Sequence, residues 1–351
     1  MNEYTELLRR LIAIPSFSRE ESGTAGEIYD FLASHGTSPE RQGNNVWVFN
    51  RHFANDKPTI LLNSHHDTVR PNGGYTRDPF GPAVEQGRIY GLGSNDAGAS
   101  VVSLIAAFLH FYDREDLACN LCLALTAEEE ISGAGGIESV LPRLGKLDFA
   151  IVGEPTGMDM AIAERGLMVL DCTARGTAGH AARGEGENAI YKAMDDIGWL
   201  RTYRFDHESE LFGQVRMSAT IINAGTQHNV VPDRCDFTVD VRVTDRYTNQ
   251  EVLGIIREHL ASEVTPRSVR LRPSCIDPSH PVVQAGLALG RKTFGSPTTS
   301  DQALLDIPSL KMGPGDSARS HTADEFVYID EIGQAIGQYI AMLETVARKP
   351  V

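Results

Sequence analysis

The stretch Thr59-Ile-Leu-Leu-Asn-Ser-His-His-Asp67 runs from an apolar segment into a cluster of side chains that can bind metal ions. A short apolar run bounded by polar residues is typical of a strand buried inside a sheet. Thr24 and Glu27 have the spacing of a capping box. Further strands are predicted at 46–49, 121–126 and 149–152, and helices at 4–14, 24–35, 98–112 and 136–144. This alternation predicts an α/β fold, with a mixed sheet that helices cover on both faces.

The pattern changes after residue 164. Strands are predicted at 167–175, 216–223, 234–243 and 268–275, and helices at 187–203 and 249–262. Two strand–helix–strand units predict a smaller α+β domain of ferredoxin-like type, with one helical face and one free sheet face. The α/β pattern then returns, with a helix at 280–294, a strand at 309–312 and a last helix from 330. We therefore expect a discontinuous domain of residues 1–163 and 276–351 around an inserted domain of residues 164–275.

The composition is that of a globular protein with an acidic balance. The 351 residues include 47 acidic and 32 basic side chains, a formal net charge of −15, and 41% are hydrophobic. This charge argues against nucleic acid and anionic membranes as partners. The longest apolar runs are strand-length, and no apolar core of a secretory signal is visible. Five cysteines, including Cys119 and Cys122 in a strand-like run, favour reduced thiols in a cytoplasmic protein.

Side chains that can bind metal ions gather directly after the predicted strands. In chain order they are His65, His66, Asp67, Asp96, Glu128–Glu130, Glu154 and His321. In open α/β sheets, sites form beyond the carboxyl ends of the strands, so we expect five loops to deliver these groups to one edge of one sheet. Each group alone has a simpler explanation, such as a hydrogen-bonded strand end, a helix cap or a solvated helix start. Their convergence favours a functional site.

The residue types at this site point to metal chemistry. Two histidines with several carboxylates suit Zn²⁺ or a similar divalent ion such as Co²⁺. If one carboxylate bridges, the set suits two ions about 3.5–4 Å apart, an arrangement that binds and activates water. One carboxylate should stay outside the metal ligands as a general base, because the activated water needs a proton acceptor. The residues therefore predict a dinuclear hydrolytic centre.

Five motifs in fixed order resemble the M20 metallopeptidase family over essentially the whole chain. They are SHHDTV (64–69), GSNDAG (93–98), TAEEEISG (126–133), VGEPT (152–156) and GPGDSARSHTADE (313–325). Within the family the chain looks like the acetylornithine deacetylase branch, near the acetyl-lysine deacetylases and the succinyl-diaminopimelate desuccinylases. The resemblance implies that the discontinuous domain is catalytic and that the inserted domain serves as a lid and dimerisation domain.

The resemblance also assigns roles at the predicted centre. It implies one aspartate bridging two metal ions, each of which is also bound by one histidine and one glutamate. The implied ligands are Asp96 as the bridge, His65 with Glu154 for one ion, and Glu130 with His321 for the other. Glu129 would be the general base, and Asp67 would orient His65. His65 is preferred to His66 because the family pattern is His-x-Asp and alternation places residues 65 and 67 on one side of a strand.

The inserted domain is implied to contribute substrate contacts. His180, in the motif GTAGH, matches a histidine that reaches the substrate carbonyl from the neighbouring subunit, so the resemblance implies a homodimer. Asn229 and Arg242 match residues that contact the carboxylate region of the substrate. Arg242 lies on an alternating predicted strand, however, and could equally be a surface charge.

The implied activity is removal of an acyl group from an N-acyl amino acid. The favoured substrate is N-acetylornithine of arginine biosynthesis. N-acetylcitrulline, the N-succinyl counterparts and succinyl-diaminopimelate follow as alternatives. Gly313 and Gly315 match a glycine loop that lines the site, and Arg319 could meet a carboxylate on the acyl group. A di- or aminopeptidase would use the same metal centre, and a non-catalytic binding protein would require a degenerate one.

Overall fold

The computed structural model describes residues 2–348, which form two compact units. The first unit contains the residues before Ala163, the segment Cys275–Phe294 and the residues from Ser300 onward. The second unit contains Ala163–Ser274 and also the short segment Gly295–Thr299, which the sequence pattern does not indicate. Within residues 2–348, no helix combines the length and the apolar character that crossing a membrane requires.

The helices and strands are named here in chain order. Eight α-helices lie within residues 2–348: α1 (Glu3–Ile12), α2 (Ser22–Ser34), α3 (Ala99–Phe111), α4 (Ile137–Leu144), α5 (Ala189–Thr202), α6 (Asn249–His259), α7 (Pro281–Ala288) and α8 (Ile329–Ala347). The strands of the same residues are β1 (Glu40–Gln42), β2 (Asn45–Phe49), β3 (Thr59–His65), β4 (Val84–Glu85), β5 (Arg88–Tyr90), β6 (Asn120–Thr126), β7 (Phe149–Val152), β8 (Met160–Glu164), β9 (Gly166–Arg175), β10 (Gly179–His180), β11 (Arg216–Ala224), β12 (Val230–Val231), β13 (Arg234–Val243), β14 (Glu263–Pro266), β15 (Ser274–Cys275), β16 (Thr293–Ser296), β17 (Ser309–Lys311) and β18 (Phe326–Tyr328).

The large sheet has parallel strands at its centre. Its order is β1-β2-β6-β3-β7-β17-β8-β15, and β16 pairs with β8. Strands β6, β3, β7 and β17 run parallel to one another, whereas β2 pairs antiparallel with β6, and β8 pairs antiparallel with β17. Every residue of β3 and β6 is buried, as expected of strands covered on both sides. The predicted α/β class with a mixed sheet is confirmed.

Helices α3 and α8 contribute many of the side chains in the apolar core of the first unit. Helix α3 is buried along nearly its whole length, including Leu104 and Phe108, and packs against α8 and β3. Tyr339 of α8 is also fully buried, and its hydroxyl donates to the backbone carbonyl oxygen of Met312 at 2.6 Å. Met312 directly follows β17, so this bond holds the chain where it leaves the sheet towards the predicted glycine loop.

A separate three-stranded sheet corrects one expectation. Strand β5 pairs with β4 and β18, and not with the large sheet. Asp96 therefore does not follow a strand of the large sheet. It lies in an irregular turn, Ser94–Gly98, that leads into α3. Short apolar runs such as Arg88–Tyr90 do not reveal which sheet they join, because pairing depends on distant partners.

The second unit is built on an antiparallel sheet of order β11-β13-β9-β14. Helix α5 follows β9, and α6 follows β13, which gives the chain order βαββαβ of a ferredoxin-like fold. The apolar residues of sheet and helices form one core that includes Leu170, Phe237 and Val252. Strand β11 lies at the sheet edge, and nearly all of its residues are exposed.

The predicted capping box is wrong. Helix α2 begins at Ser22, earlier than predicted, so Thr24 lies inside the first turn. The Thr24 hydroxyl donates to the backbone carbonyl oxygen of Glu21 at 3.0 Å. Glu27 pairs instead with Arg10, with a nitrogen–oxygen distance of 2.6 Å. The spacing of two residues identifies a capping box only when the first of them is the residue before the helix.

Two further element boundaries differ from prediction. The fourth strand of the small sheet is β14 rather than residues 268–275. The last two residues of that stretch form β15, which belongs to the large sheet. The helix predicted at 280–294 ends at Ala288, and Gly290 takes a positive φ of 76°. Glycine in this conformation is a common helix stop, after which the chain continues here into β16.

Candidate metal centre

His65 is the last residue of β3 and is buried. Its Nε2 atom lies 3.2 Å from Oδ1 of Asp96, 3.7 Å from Oε1 of Glu154 and 3.9 Å from Oε2 of Glu129. Its Nδ1 atom lies 3.1 Å from the backbone carbonyl oxygen of Asp67 and 3.4 Å from Oδ1 of the same residue. When Nδ1–H donates to Asp67, Nε2 is left with its lone pair towards the carboxylates, which is the form that binds a metal ion.

His66 faces away from this group. Its Nδ1 atom is 2.9 Å from the hydroxyl of Thr24, and its Nε2 atom is 2.9 Å from the backbone carbonyl oxygen of Asn44. Burial lowers the pKa of His66 to about 4, so the ring is neutral near pH 7. Two adjacent strand residues project to opposite sides, which accounts for the different surroundings of His65 and His66.

Asp96 lies between two histidines from distant parts of the chain. Its Oδ1 atom is 3.2 Å from Nε2 of His65, and its Oδ2 atom is 3.8 Å from Nε2 of His321. His321 also lies 3.0 Å from Oε2 of Glu130. One carboxylate with an oxygen directed at each histidine is the arrangement that a ligand shared by two ions needs.

Two of the three consecutive glutamates after β6 point towards the centre, and the first does not. Glu128 has a left-handed backbone with φ 57°, and its carboxylate accepts the N–H of Gly135 in its own loop and lies 3.9 Å from Nε of Arg19. The side chains of Glu129 and Glu130 approach the centre. Their backbone N–H groups donate to Oδ1 and Oδ2 of Asp67 at 3.0 and 3.2 Å. Asp67 therefore contacts both His65 and the turn that carries the two glutamates.

The ligand atoms form two overlapping sets, each able to hold a metal ion. These sets are His65 with Asp96 and Glu130, and His65 with Glu129 and Glu154. Within each set the ligand atoms lie within 4.8 Å of one another. Imidazole nitrogen and carboxylate oxygen are donors that suit Zn²⁺ or Co²⁺. Glu129, expected outside the ligands, belongs to the second set, so distance alone does not separate a ligand from a base here.

The centre concentrates negative charge in a buried space. Burial raises the pKa of Glu129 well above its usual value; His65 opposes this shift, and the nearby carboxylates of Glu154 and Asp301 add to it. Burial also raises the pKa of Glu130, with an opposing contribution from its partner histidine. Buried carboxylates this close together are costly unless cations neutralise them. Donor chemistry and charge therefore both fit divalent cations.

The glycines predicted to line the site lie against the loops that carry the ligands. A Cβ atom on Gly313 would stand 2.5 Å from the backbone carbonyl oxygen of Glu154. A Cβ atom on Gly315 would stand 2.3 Å from the side-chain oxygen of Asn95, and Gly315 also has a positive φ of 89°. Any side chain at either position would displace a loop next to the centre.

Some residues that hold these loops were not identified from the sequence. Glu325 accepts hydrogen bonds from three backbone N–H groups in the turn that carries Asp96. Asn95 and Asp316 exchange two hydrogen bonds of 3.0 and 3.1 Å. Asp301 is buried, and its carboxylate accepts a hydrogen bond of 2.8 Å from the hydroxyl of Thr126 at the end of β6. Glu325 and Asn95 belong to two of the five motifs. A single acidic or amide residue, however, forms no sequence pattern that predicts such a role.

Two arginines predicted to contact substrate already have acidic partners. Arg319 donates to Glu331 at 2.7 and 3.0 Å and lies over the ring of Phe326. Arg242 donates to both carboxylate oxygens of Asp240, at 2.9 and 3.1 Å. Both guanidinium groups are engaged by a carboxylate, so binding a substrate carboxylate would require a change of partner.

His180 and Asn229 lie close together in the second unit, and both are exposed. His180 pairs with Val230 between β10 and β12. The next residue, Ala181, donates its N–H to the backbone carbonyl oxygen of Asn229 at 3.1 Å. The Nδ1 atom of His180 accepts the N–H of Ala182 at 3.2 Å, which leaves Nε2 as the ring nitrogen for any contact with substrate.

Paired histidine and carboxylate ligands beside the ends of parallel strands define the class, a metal-dependent hydrolase with a dinuclear centre. The chain belongs to the peptidase family M20/M25/M40, whose family model matches residues 61–345. The family resemblance of the five motifs is thereby confirmed.

Known relatives agree with this assignment. The chain is 28% identical over 375 aligned residues to the acetylornithine deacetylase of Proteus mirabilis (strain HI4320), with 96% of both proteins covered. Similar solved structures include a tripeptidase from Staphylococcus aureus, with a TM-score of 0.75, 20% identity and coverage of 99% of this chain and 98% of that one. Another is a dinuclear metal-binding M20 peptidase from Bacillus subtilis, with a TM-score of 0.72, 18% identity and 99% of both chains covered. At these identities the structural likeness shows the fold.

Proposed function

We propose that the protein removes the acyl group from an N-acyl amino acid, with N-acetylornithine of arginine biosynthesis as the first candidate. The observation that carries the proposal is the placement of Asp96 between His65 and His321, with Glu129 at the same centre. The relation to the Proteus mirabilis acetylornithine deacetylase supports the substrate class. N-acetylcitrulline, the N-succinyl counterparts and succinyl-diaminopimelate are the nearest alternatives.

Two ions of Zn²⁺ or Co²⁺ fit the ligands of this centre. In the proposal Asp96 is shared, His65 and Glu154 complete one ligand set, and Glu130 and His321 complete the other. The separations of 3.7 Å between His65 and Glu154 and of 3.0 Å between His321 and Glu130 support this division. Such ions, when bound, polarise an amide carbonyl and lower the pKa of water.

Glu129 is the group that we assign to proton transfer. Its carboxylate lies in the buried centre, 3.9 Å from Nε2 of His65. In the proposed reaction Glu129 takes a proton from water while the water oxygen forms a bond to the amide carbon. The carbon–nitrogen bond then breaks, and the proton passes from Glu129 to the leaving amine. The products are a carboxylic acid anion and the free amino acid.

The second unit is proposed to contribute to substrate binding. His180 would donate a hydrogen bond to the carbonyl oxygen as negative charge develops on it, and a second copy of the chain would supply this histidine. Asn229 and Arg242 would contact the carboxylate region of the amino acid. The short distance between His180 and Asn229 within the unit supports a shared role.

Exposed apolar residues of the second unit support a homodimer. Helix α5 packs beside the edge strand β11. These two elements expose Tyr191 by 65%, Met194 by 58%, and Ile221 and Ile222 by 52% each. Exposed apolar side chains next to a sheet edge are typical of a surface that another chain covers. We propose that a second copy of this chain covers it.

The test of the proposed function is release of primary amine from matched substrates. N-acetyl and N-succinyl forms of ornithine and citrulline would be offered to protein loaded with Zn²⁺ or Co²⁺ and to protein stripped by a chelator. Metal-dependent release from N-acetylornithine supports the proposal, and selective release from a succinyl form selects an alternative acyl group. Cleavage of an unblocked dipeptide without any deacylation would overturn it in favour of a peptidase.

A further inference from the structure

Glu325 stands four residues after His321 and is buried, with 2% of its surface exposed. Its Oε1 atom accepts the backbone N–H groups of Asn95 at 2.8 Å and of Asp96 at 2.9 Å. Its Oε2 atom accepts the N–H of Gly93 at 3.2 Å. One buried carboxylate therefore takes three backbone donors from four consecutive residues, which include the aspartate between the two histidines.

The turn that carries Asp96 depends on this acceptor because its own geometry is irregular. Gly93 has a positive φ of 75°, and the backbone at Asp96 is not helical. A turn of this kind cannot satisfy its N–H groups through a helical ladder, and buried N–H groups need an acceptor. The backbone carbonyl oxygen of Glu325 also accepts the N–H of Gly91 at 2.9 Å, which fixes the start of the same turn.

A second buried carboxylate has the same arrangement on the other side of the centre. Asp67 accepts the backbone N–H groups of Glu129 and Glu130 and also contacts His65. Two of the turns that carry acidic side chains of the centre, those of Asp96 and of Glu129 with Glu130, are thus held by a carboxylate that is not among the proposed ligands. Glu325 differs from Asp67 because it touches only backbone groups of its turn.

We propose that Glu325 is a positioning residue that holds Asp96 between the two histidines and thereby sets the affinity of the centre for its metal ions. The inference rests on the metal centre of the proposed function. Because His321 and Glu325 belong to one short segment, the same piece of chain supplies a ligand and fixes the distance from that ligand to Asp96. Loss of the acceptor would let the turn move and separate the two oxygens of Asp96 from the histidines, which lie 3.2 and 3.8 Å away.

The substitution Glu325→Gln tests this role with little change in shape. The amide keeps one acceptor oxygen but replaces the other with an NH₂ donor, which cannot accept the N–H of Gly93. Substitutions of residues that hold a metal ligand in place lower metal affinity by roughly 10–100-fold. We therefore expect Glu325→Gln to bind at least one of the two metal ions roughly 10–100-fold more weakly than wild type. Glu325→Asp, with a carboxylate on a shorter side chain, should weaken binding less than Glu325→Ala.

The matched control is Asp196→Asn in the second unit. Asp196 is also buried and accepts two backbone N–H groups, from Ala261 at 3.0 Å and from Ser262 at 2.9 Å. It lies in the other compact unit and contacts none of the proposed ligands. Asp196→Asn should lower thermal stability as much as Glu325→Gln does but leave metal affinity within twofold of wild type.

The measurement uses the full chain, stripped by a chelator and titrated with Zn²⁺ or Co²⁺ alone by calorimetry. The visible absorption of the Co²⁺-loaded protein reports the coordination of the ion without any substrate. Weaker binding and an altered Co²⁺ spectrum in Glu325→Gln, with neither change in Asp196→Asn, support the proposal. Wild-type affinity and an unchanged spectrum in Glu325→Gln overturn it.

Two further outcomes separate this inference from the proposed function. If Glu325→Gln does not fold, the titration of Glu325→Asp decides, and wild-type affinity in that folded variant overturns the inference. If wild-type protein binds two ions but releases no amine from any acylated substrate, the proposed function fails. The affinity difference between wild type and Glu325→Gln then still tests the role of Glu325.

Discussion

The residues predicted to form the site have different surroundings in the two units. In the first unit, His65 and Asp67 are buried, and backbone N–H groups or neighbouring carboxylates contact each polar group. In the second unit, His180 and Asn229 are exposed, and Arg242 forms an ion pair with the aspartate two residues before it. The first unit therefore presents a fixed set of charged groups, and the second presents solvated groups.

This difference follows from the cost of burying charge. A carboxylate removed from water requires hydrogen bonds or a cation, so the geometry of the first unit is set before any substrate arrives. A solvated side chain pays no such cost and can change partner when a ligand binds. If the site residues act as proposed, the chemistry depends on the first unit, and selection among acylated amino acids depends on the second.

The largest effect is expected at Glu129. Replacing Glu129 with Gln removes the proposed proton acceptor but keeps the size of the side chain. General acid–base groups contribute about 10²–10⁴-fold to rate, so kcat should fall by about 10³-fold. Metal content, measured by elemental analysis, should stay at the wild-type value.

Glu128→Gln is the control for this substitution, because the Glu128 carboxylate contacts Gly135 and Arg19 and belongs to neither ligand set. Its kcat should lie close to wild type. A kcat for Glu129→Gln within tenfold of wild type would contradict the proposed role and would leave Glu129 as a ligand or a structural residue.

The second prediction concerns Asp67, which contacts His65 and the backbone of the glutamate turn. Asp67→Asn should lower metal affinity by roughly 10–100-fold, since the amide is a weaker partner for the histidine ring and for two N–H donors. The measurement is a titration of chelator-stripped protein with Zn²⁺. His66→Gln is the control, because His66 is equally buried on the same strand end but bonds to Thr24 and Asn44. If Asp67→Asn and His66→Gln bind Zn²⁺ with equal affinity, Asp67 does not hold the ligands of the centre in place as we infer.

The sequence predicted the elements and ligands that depend on local pattern. Buried runs such as β3 and β6 are visible as apolar segments, and the acidic and histidine side chains follow where these strands end. The preference for His65 over His66 rests on the His-x-Asp pattern of the family, with which strand alternation agrees, and the two rings do face different partners. These features need only the residues themselves and the geometry of a strand.

Features that depend on distant partners could not be predicted in this way. Asp96 was placed after a strand of the large sheet, but pairing with β18, more than 200 residues away, puts β5 in another sheet. The role of Glu325 likewise depends on a turn distant in sequence. Thr24 and Glu27 have the spacing of a capping box, but the helix begins at Ser22, so Thr24 is not the residue before it. Local spacing does not contain this information.

The third prediction concerns the exposed surface of the second unit. Ile222→Lys places a charge on the edge strand β11, where we propose that a second copy binds. Central apolar residues of an interface often contribute 2 kcal/mol or more, so the dimer dissociation constant should rise by at least about tenfold. Sedimentation velocity over a range of concentrations measures this change.

Phe53→Lys is the matched control for the surface, since Phe53 is 43% exposed but lies in the first unit. It should leave the dissociation constant unchanged. If the wild-type protein is monomeric, or if both variants associate equally, the proposal that a second copy covers this surface is wrong.

The smallest effect is expected at Arg319, which tests whether the two units really differ. Arg319 belongs to the first unit, but, like Arg242, it already has a carboxylate partner, in this case Glu331. If that pair persists, Arg319→Ala should change kcat/KM by less than about threefold, and by the same factor for N-acetyl and N-succinyl substrates, because a guanidinium group held by Glu331 does not meet the substrate. Glu331→Ala should match it when both are assayed on the same substrates. A loss confined to succinyl substrates would mean that Arg319 leaves Glu331 to meet the acyl carboxylate. The first unit would then also contribute to substrate selection, and a change of partner on binding would not be limited to the second unit.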